Sequence, residues 1–525
     1  MTQFTTLVQQ LLDPAAYPEH PAHVEARETQ ISVVFLTGAY AYKIKKPLTF
    51  SFLDFTTLES RKIACEREVT LNRRLAPDVY LGVVPIARAA HGLRVGGGGE
   101  VVEYAVKMVQ LPEEGMLDHL LQRGAANQDM VRRLAKDIAA FHKRAATGPE
   151  IARQGGLETT RQFVEGNLRD GEEFPGLHPD HEAWERTKSF SRAFMERRAP
   201  LFRKREAEGR IRDGHGDLHA AQVCFHDGRI TILDCIEFND RFRYGDAISD
   251  LAFMAMDLDF YGRPDLSHAF VQAYLDETQD WEGLELLPFY KAYRACVRGK
   301  VAGYRMRDPD AAEAVRREAE ERGRRYYALA AEYSHSRVGP VLVLIGGLMG
   351  TGKTTLAETL AREQGFAHLS SDVTRKRLAG MEPQERRHVA FGADIYGPES
   401  TARTYQALLE EAAALLDQGR SVVVDASFRE AGERQKFLTL ARGKGVPFLF
   451  ALCEAEDAVV RRRLTERVQQ GAGASDGRWE LYARQKATFQ PPDDIPPESL
   501  LRLDTARPAE SAVRDLLARL DRGIE

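Results

Sequence analysis

The pattern of apolar and polar positions changes character twice along the chain. Over residues 29–46, TQISVVFLTGAYAYKIKK, two β-rich runs meet at Thr37-Gly38, which predicts a hairpin with Lys43 in its second strand. Residues 59–75 adopt helical spacing instead, with Ile63, Val69, Leu71 and Leu75 near one stripe and Glu66 and Glu68 available to pair with a cation. The stretch 92–108, GLRVGGGGEVVEYAVKM, predicts a second hairpin whose glycine-rich tip is a turn, and the run 104–109 stops at Gln110-Leu111-Pro112. About five strands around one helix make a small, mostly antiparallel lobe. From residue 116 the spacing is helical: 130–146 is amphipathic, 150–210 is polar and helical, and helices dominate again over 267–333. His142 lies in an apolar stripe and reads as a core histidine with a polar partner. The basic side of 290–305, YKAYRACVRGKVAGYR, reads as a solvated face, and SHSRVGP at 334–340 breaks the periodicity as a linker does.

The second change follows at once. An apolar run at 341–345 is succeeded by strands at 367–369, 421–424, 447–452 and 500–503, with helical segments between them. That alternation predicts a parallel α/β sheet with its ligands at the carboxyl ends of the strands.

The chemistry is plainest where the first of these strands ends. Gly347, Leu348, Met349, Gly350, Thr351, Gly352, Lys353 and Thr354 fit G-x-x-x-x-G-K-[ST] between a strand and a helix, with Thr355 next in line. Glycines turn successive backbone N–H groups toward a polyphosphate, and the helix directs its positive end at the same charge. Lys353 then reaches the β/γ-phosphates of ATP, and the Thr354 hydroxyl is a ligand for Mg²⁺. Asp425 closes the third strand in the position that orders Mg²⁺. Asp372, just past the second, is a candidate base for an acceptor hydroxyl, with Arg375 one helical turn on. A second pair of carboxylates lies in 213–252: Asp217 in the loop HGDLH, and Asp234 at the end of the run 230–233, after a hairpin at Asp227-Gly228. One acid to orient a hydroxyl and one to hold Mg²⁺ are what phosphoryl transfer needs.

Composition narrows the setting. A net charge of -5 argues against a generally basic nucleic-acid binder, so a nucleic-acid end is a disfavoured acceptor. Five cysteines without a C-x-x-C pair suit a reducing cytoplasm and argue against a structural zinc site. Residues 1–14 show neither a basic start nor a long apolar core, so secretion and membrane insertion are not expected.

The order of Lys43, Glu68, Gln110-Leu111-Pro112, HGDLH and ILD resembles the aminoglycoside phosphotransferase family, within the wider protein-kinase-like fold, over about residues 31–305. The resemblance implies that Lys43, held by Glu68, pairs the α/β-phosphates and that Met108 to Leu111 form the hinge beside adenine. It also implies that Asp217 is the base, that Asp234 binds metal, and that Asp246 and Asp250 brace the site. Two departures stand out: Thr37-Gly38 lacks a G-x-G-x-x-G loop, and Gln222 occupies the metal-ligand position where the pattern has Asn. The C-terminal part, from 341 to about 520, resembles small-acceptor P-loop kinases such as gluconate kinase, chloramphenicol phosphotransferase, zeta toxin and the polynucleotide kinases. That resemblance makes VVRRRLTERVQQGAGASDGRW a lid whose Arg463 or Arg467 neutralises the transferring phosphoryl group, and leaves Cys453 and Trp479 as packing residues.

The expected architecture is therefore two domains: a bilobal α+β kinase-like domain at 1–335 (small lobe 29–112, large lobe 113–335) and an α/β P-loop domain at 341–525, joined by 336–340. The expected function is a cytoplasmic bifunctional kinase, each half moving the γ-phosphoryl of ATP to a hydroxyl-bearing acceptor with Mg²⁺. Two rival expectations are an N-terminal pseudokinase that regulates the other half, and a C-terminal ATPase switch without an acceptor.

Overall fold

The computed structural model describes residues 3–50, 53–89, 92–309, 311–334, 340–381, 397–418, 420–470 and 479–521. The chain divides into two compact units, Met1–Ser334 and His335–Glu525.

In the first unit, strands β1 (Glu25–Glu28), β2 (Ser32–Leu36) and β3 (Tyr40–Lys45) are followed by helix α1 (Leu58–Asn72) and strands β4 (Tyr80–Ala89), β5 (Gly92–Val95) and β6 (Glu100–Val109). They form a six-stranded antiparallel sheet in the order β1-β2-β3-β6-β4-β5. The hairpin at Thr37-Gly38 forms as its composition predicts: Gly38 takes a φ of 91°, and the Thr37 hydroxyl donates to the carbonyl of Tyr40. The second expected hairpin does not form. β5 folds back on β4, pairing Val95 with Ile86, and β6 lies on the other side of β4, pairing Tyr104 with Pro85. β5 takes one edge of the ten-residue β4 and β6 takes the other, so the glycine run carries the chain across instead of turning it back. A Cβ at Gly99 would stand 2.7 Å from the carbonyl oxygen of Arg88, which is why that crossing takes glycine.

Alternation along β3 sorts its side chains. Tyr42 and Ile44 enter one core with Phe35, Ile86 and Ala105, while Ala41 joins Cys65, Val69, Val106 and Met108 on the α1 side. Lys43 and Lys45 share that second face by the period of two. Helix α1 is capped by Thr57, whose hydroxyl accepts from the Ser60 N–H, and buries Glu68 and Asn72 one turn apart.

The rest of the unit is helical, as expected, built on α2 (Gln128–Arg144), α3 (Ala247–Phe260), α4 (Leu287–Met306) and α5 (Glu313–Tyr333). Between α2 and α3 stands the hairpin of β7 (Val223–His226) and β8 (Arg229–Ile232), closed by Asp227 at φ 48° and Gly228 at φ 72°. Two positive φ values are what a primed two-residue turn requires.

The second unit is a sheet of five parallel strands: β9 (Leu342–Gly346), β10 (Ala367–Ser370), β11 (Val422–Asp425), β12 (Phe448–Glu454) and β13 (Leu500–Asp504), in the order β10-β11-β9-β12-β13. β9 and β11 are buried along their whole length, as near-continuous apolar runs in a doubly covered parallel sheet must be. One core lies on each face. The chain reverses direction across β9, so the loop after that strand opens at the topological switch point where α/β sheets bind ligands. Among the described residues no helix is long and apolar enough to cross a membrane.

Candidate functional sites

In the first unit the functional side chains converge from sequence positions far apart. Lys43 lies 2.9 Å from Oε1 of Glu68 and 2.5 Å from Oδ1 of Asp234. Burial disfavours its ammonium, yet Asp234 and Glu68 outweigh that and hold its pKa well above the ordinary lysine value. Asp234 sits at the end of β8 with a φ of 61°, a left-handed conformation that a non-glycine residue adopts only under constraint from its surroundings. Its N–H donates to the Tyr80 hydroxyl at 3.2 Å, and the Gln222 amide donates to its Oδ2 at 3.3 Å. Burial pulls the Asp234 carboxyl upward, but Lys43 and Lys45 bring it below the usual carboxylate range.

Asp217 keeps about a third of its side chain exposed, and His219 Nε2 lies 3.4 Å from its Oδ2. Burial alone would raise the Asp217 carboxyl, whereas His219, Arg298 and His215 hold it well below the usual range, so it is ionised. The loop that carries it is fixed from beneath by Asp250, which accepts from the N–H groups of His215 (2.7 Å) and Gly216 (3.0 Å). His142 is a partnered core residue, lying 2.8 Å from the Tyr274 hydroxyl and 3.3 Å from Asp250. Asp246 faces elsewhere: it pairs with the buried Arg205, which also holds Asp280. Met108 packs into the α1 core with Leu111 beside it, and Gln110 ties this segment to the hairpin turn by accepting from the Gly38 N–H at 2.8 Å.

Three features of this site escaped sequence reasoning. Lys45, fully buried, contacts Glu68 Oε2 at 2.5 Å and pairs with Glu237; the K-x-K spacing was its only signal. The face of α4 expected to be solvated turns inward, where Arg294 donates to the Gly216 carbonyl at 2.9 Å and Arg298 lies 3.3 Å from His219. Arginine stems bury readily along a helix when carbonyls and carboxylates await the head, which composition alone does not disclose. Just beyond α1, Arg74 donates to the carbonyls of Asp213 and Gly214, while Asn72 accepts from the Cys235 N–H at 2.9 Å. The helix that holds Glu68 is thereby bonded to the chain just before Asp217 and to the loop that carries Asp234.

In the second unit the site is mostly contiguous. Gly347, Gly350 and Gly352 have φ values of 138°, 77° and 84°, and a Cβ at Gly347 would come within 2.5 Å of the Cys453 carbonyl oxygen. Helix α6 (Lys353–Gln364) begins at the lysine, whose ammonium donates to the Leu348 carbonyl at 3.0 Å. The Thr354 hydroxyl donates to Asp425 Oδ2 at 2.6 Å, and Thr355, next on the helix, is exposed. Thr351 anchors the loop by donating to Leu348 and accepting from Thr505, and Met349 donates to Gln485 at 2.6 Å. Arg463, on α8 (Asp457–Gln470), donates to the Thr505 carbonyl at 2.5 Å, and its guanidinium lies 3.3 Å from where a Cβ of Gly352 would stand. The side chain of Arg467 and residues 471–478 of the expected lid lie outside the described residues.

Asp372 occupies the first turn of α7 (Ser371–Leu378), two residues past Ser370, which pairs with Asp425 across the sheet. Arg375 is buried and donates to the Thr401 hydroxyl at 3.2 Å. His368, with Nε2 3.8 Å from Asp425 Oδ2, had no motif to reveal it. Neither had Tyr405 and Arg434, which clamp Phe428 at a φ of 46° just after β11. Cys453 is buried, its thiol pushed up to about 12 by desolvation, and Trp479 stacks on Tyr482; both are packing residues.

Comparison with known proteins agrees with this division. Residues 55–287 match the phosphotransferase enzyme family and 342–492 match an AAA domain, so the chain is a phosphotransferase of the kinase type. Uncharacterized proteins of Mycobacterium tuberculosis (strain H37Rv) and Mycobacterium bovis are each 33% identical over 494 residues, covering 93% of this chain and 94% of theirs. The chain belongs to the family of these full-length relatives. Among solved structures it is similar to a choline kinase from Cryptosporidium parvum (11% identity, 62% of this chain and 95% of that one, TM-score 0.36). It is also similar to a gluconokinase from Sinorhizobium meliloti (21%, 35% and 93%, TM-score 0.26). A third such structure is the Mycobacterium tuberculosis APS kinase in complex with AMPPNP and APS (20%, 35% and 98%, TM-score 0.26).

Proposed function

We propose that both units bind ATP and that each transfers its γ-phosphoryl group to a hydroxyl on an acceptor of its own. The observation that carries this reading is the Thr354–Asp425 hydrogen bond beneath the glycine loop, matched in kind by Lys43 lying between Glu68 and Asp234. The donor sets fit a small hard cation, since they offer carboxylate and hydroxyl oxygens: Thr354 and Asp425 in one unit, Asp234 with Gln222 beside it in the other. Mg²⁺ held there would neutralise charge on the phosphates. Lys43 and Lys353 bind phosphate oxygens, and the backbone of 347–355 cradles the chain of phosphates in the second unit. Asp217 and Asp372 orient the acceptor hydroxyl and accept its proton, while Arg375 and Arg463 bring positive charge to the transferring group. Met108 to Leu111 flank the base of the nucleotide in the first unit. The need for ATP makes the cell interior the working compartment, and small hydroxyl metabolites fit the acidic chain better than nucleic-acid ends do.

Gln222 favours a second reading of the first unit. Its amide nitrogen, not its oxygen, faces Asp234, an arrangement suited to a nucleotide-binding module that does not transfer.

The test uses the full chain as wild type, Lys353→Ala, Asp217→Asn and the double variant, each screened with γ-labelled ATP against metabolite and RNA-end libraries. The expected result is two product sets, one lost with each single variant. Labelled products that survive in the double variant would sink the assignment of these sites.

A further inference from the structure

The first unit buries a second lysine that the phosphotransfer reading leaves without a role. Lys45 is 0% exposed, two residues beyond Lys43 on the same face of β3, and a fully buried lysine is rare unless its charge is paired. It is paired twice, with Glu237 and with Glu68 Oε2 at 2.5 Å, and its ammonium also lies 5.7 Å from the centre of the Phe55 ring. Glu68, also 0% exposed, is therefore shared: Oε1 belongs to Lys43 and Oε2 to Lys45. Lys43 in turn is divided between Glu68 and Asp234.

This sharing has a consequence for phosphate binding. A lysine that must turn toward an incoming phosphate gives up part of its hold on its carboxylates, and a buried carboxylate stripped of its cation is costly. With one lysine, Glu68 would hold that lysine back. We propose that Lys45 is a positioning residue of the nucleotide site: it keeps Glu68 neutralised and in place, so that Lys43 is free to bind phosphate. Glu237 fixes Lys45 from the opposite side and keeps it from competing for the nucleotide itself. The site thus divides between two lysines of one strand the tasks of contacting phosphate and of holding the acid. The inference rests on the reading of Lys43 as a phosphate-binding residue.

The test is equilibrium binding of a non-hydrolysable ATP analogue with Mg²⁺ to the full chain carrying Lys353→Ala, so that the first unit is read alone, together with thermal unfolding of each variant. Lys45→Met is expected to weaken binding by about tenfold or more, as loss of a charge-assisted contact does, and to lower the melting temperature. Lys45→Met with Glu237→Gln removes the stranded carboxylate as well. It is expected to regain melting temperature while binding stays weak, because Glu68 still lacks its second cation. If the double variant regains affinity together with stability, Lys45 is only a counter-charge for Glu237 and the proposal is overturned. Wild-type affinity in a folded Lys45→Met chain overturns it too. Absence of binding to the first unit before any change at Lys45 removes the nucleotide reading of that unit, and this inference with it.

Discussion

On the function proposed above, the two units would meet the same charged ligand with opposite materials. The first gathers side-chain charge: Lys43, Lys45, Glu68, Asp234 and Glu237 come from one strand, a helix and the loop after β8, and most of that charge is buried. The second bends backbone: one loop of glycines before a helix, with a lysine, a hydroxyl and one carboxylate beneath it. In the first, the charges proposed to serve the nucleotide also pair with one another, because each would be costly to leave unpaired. In the second the loop stands on a sheet that folds through its apolar strands, and the ligand-binding groups contribute little to that core.

The largest expected effect isolates the base from the nucleotide machinery. Asp372→Asn should slow acceptor phosphorylation by about a hundred- to ten-thousandfold while leaving hydrolysis of ATP to water much less affected. A parallel fall in both rates would mean that Asp372 holds metal or structure instead.

The contrast between the units is sharpest in a matched pair of charge deletions. Lys353→Ala should cut ATP turnover by the second unit about a hundred- to thousandfold with no loss of melting temperature. Glu68→Ala, by taking from two buried lysines one of the two carboxylates that each holds, should lower the melting temperature of the first unit as well as impair nucleotide binding. Calorimetry on both variants decides it, and equal melting temperatures would break the comparison.

Acid should tell on the side-chain site. The carboxyls of Asp217, Asp234 and Asp250 are held below their unfolded values by neighbouring cations and histidines that overcome burial. The stability they contribute is complete above about pH 4 and is lost as the pH falls through the folded values. Glu237, raised by burial despite Lys45, works in the opposite sense, its contribution being lost as the pH rises through the folded value. With Glu68 also held low by Lys43 and Lys45, the lowered carboxyls of this site outnumber Glu237 and predict a first unit whose melting temperature drops on acidification below about pH 4; a flat profile to about pH 3 would contradict it.

The smallest expected effect is at Gln222. Asparagine there is one methylene shorter, withdraws the amide that now donates to Asp234, and frees that carboxylate for metal. Gln222→Asn should be modestly faster at saturating Mg²⁺ once an acceptor is known. A slower variant would show that the glutamine serves this site as it stands.

The glycine loop was legible because its chemistry lies in eight consecutive residues between a strand and a helix, and spacing alone fixes such a site. The five strands of the second unit were legible for a related reason: strands buried on both faces are written as apolar runs. Lys43, Glu68, Asp217 and Asp234 could be picked out by their order along the chain, but nothing in that order showed that Lys45 would share Glu68 with Lys43. That sharing belongs to the tertiary structure, which turns Lys43 and Lys45 toward α1 and buries Glu68 between them. The path of the glycine run was likewise open, since 92–108 has the composition of a hairpin and only the free edges of β4 decided which strand each arm would join. Arg294 and Arg298 show the same limit. Their helical spacing is that of a solvated face, and they turn inward because the loop carrying Asp217 lies against α4 with a carbonyl and a histidine to meet them. Periodicity and short motifs are local properties, and the sequence by itself determined what they govern; the pairing of buried charges depends on which surfaces meet, and only the folded chain decides that.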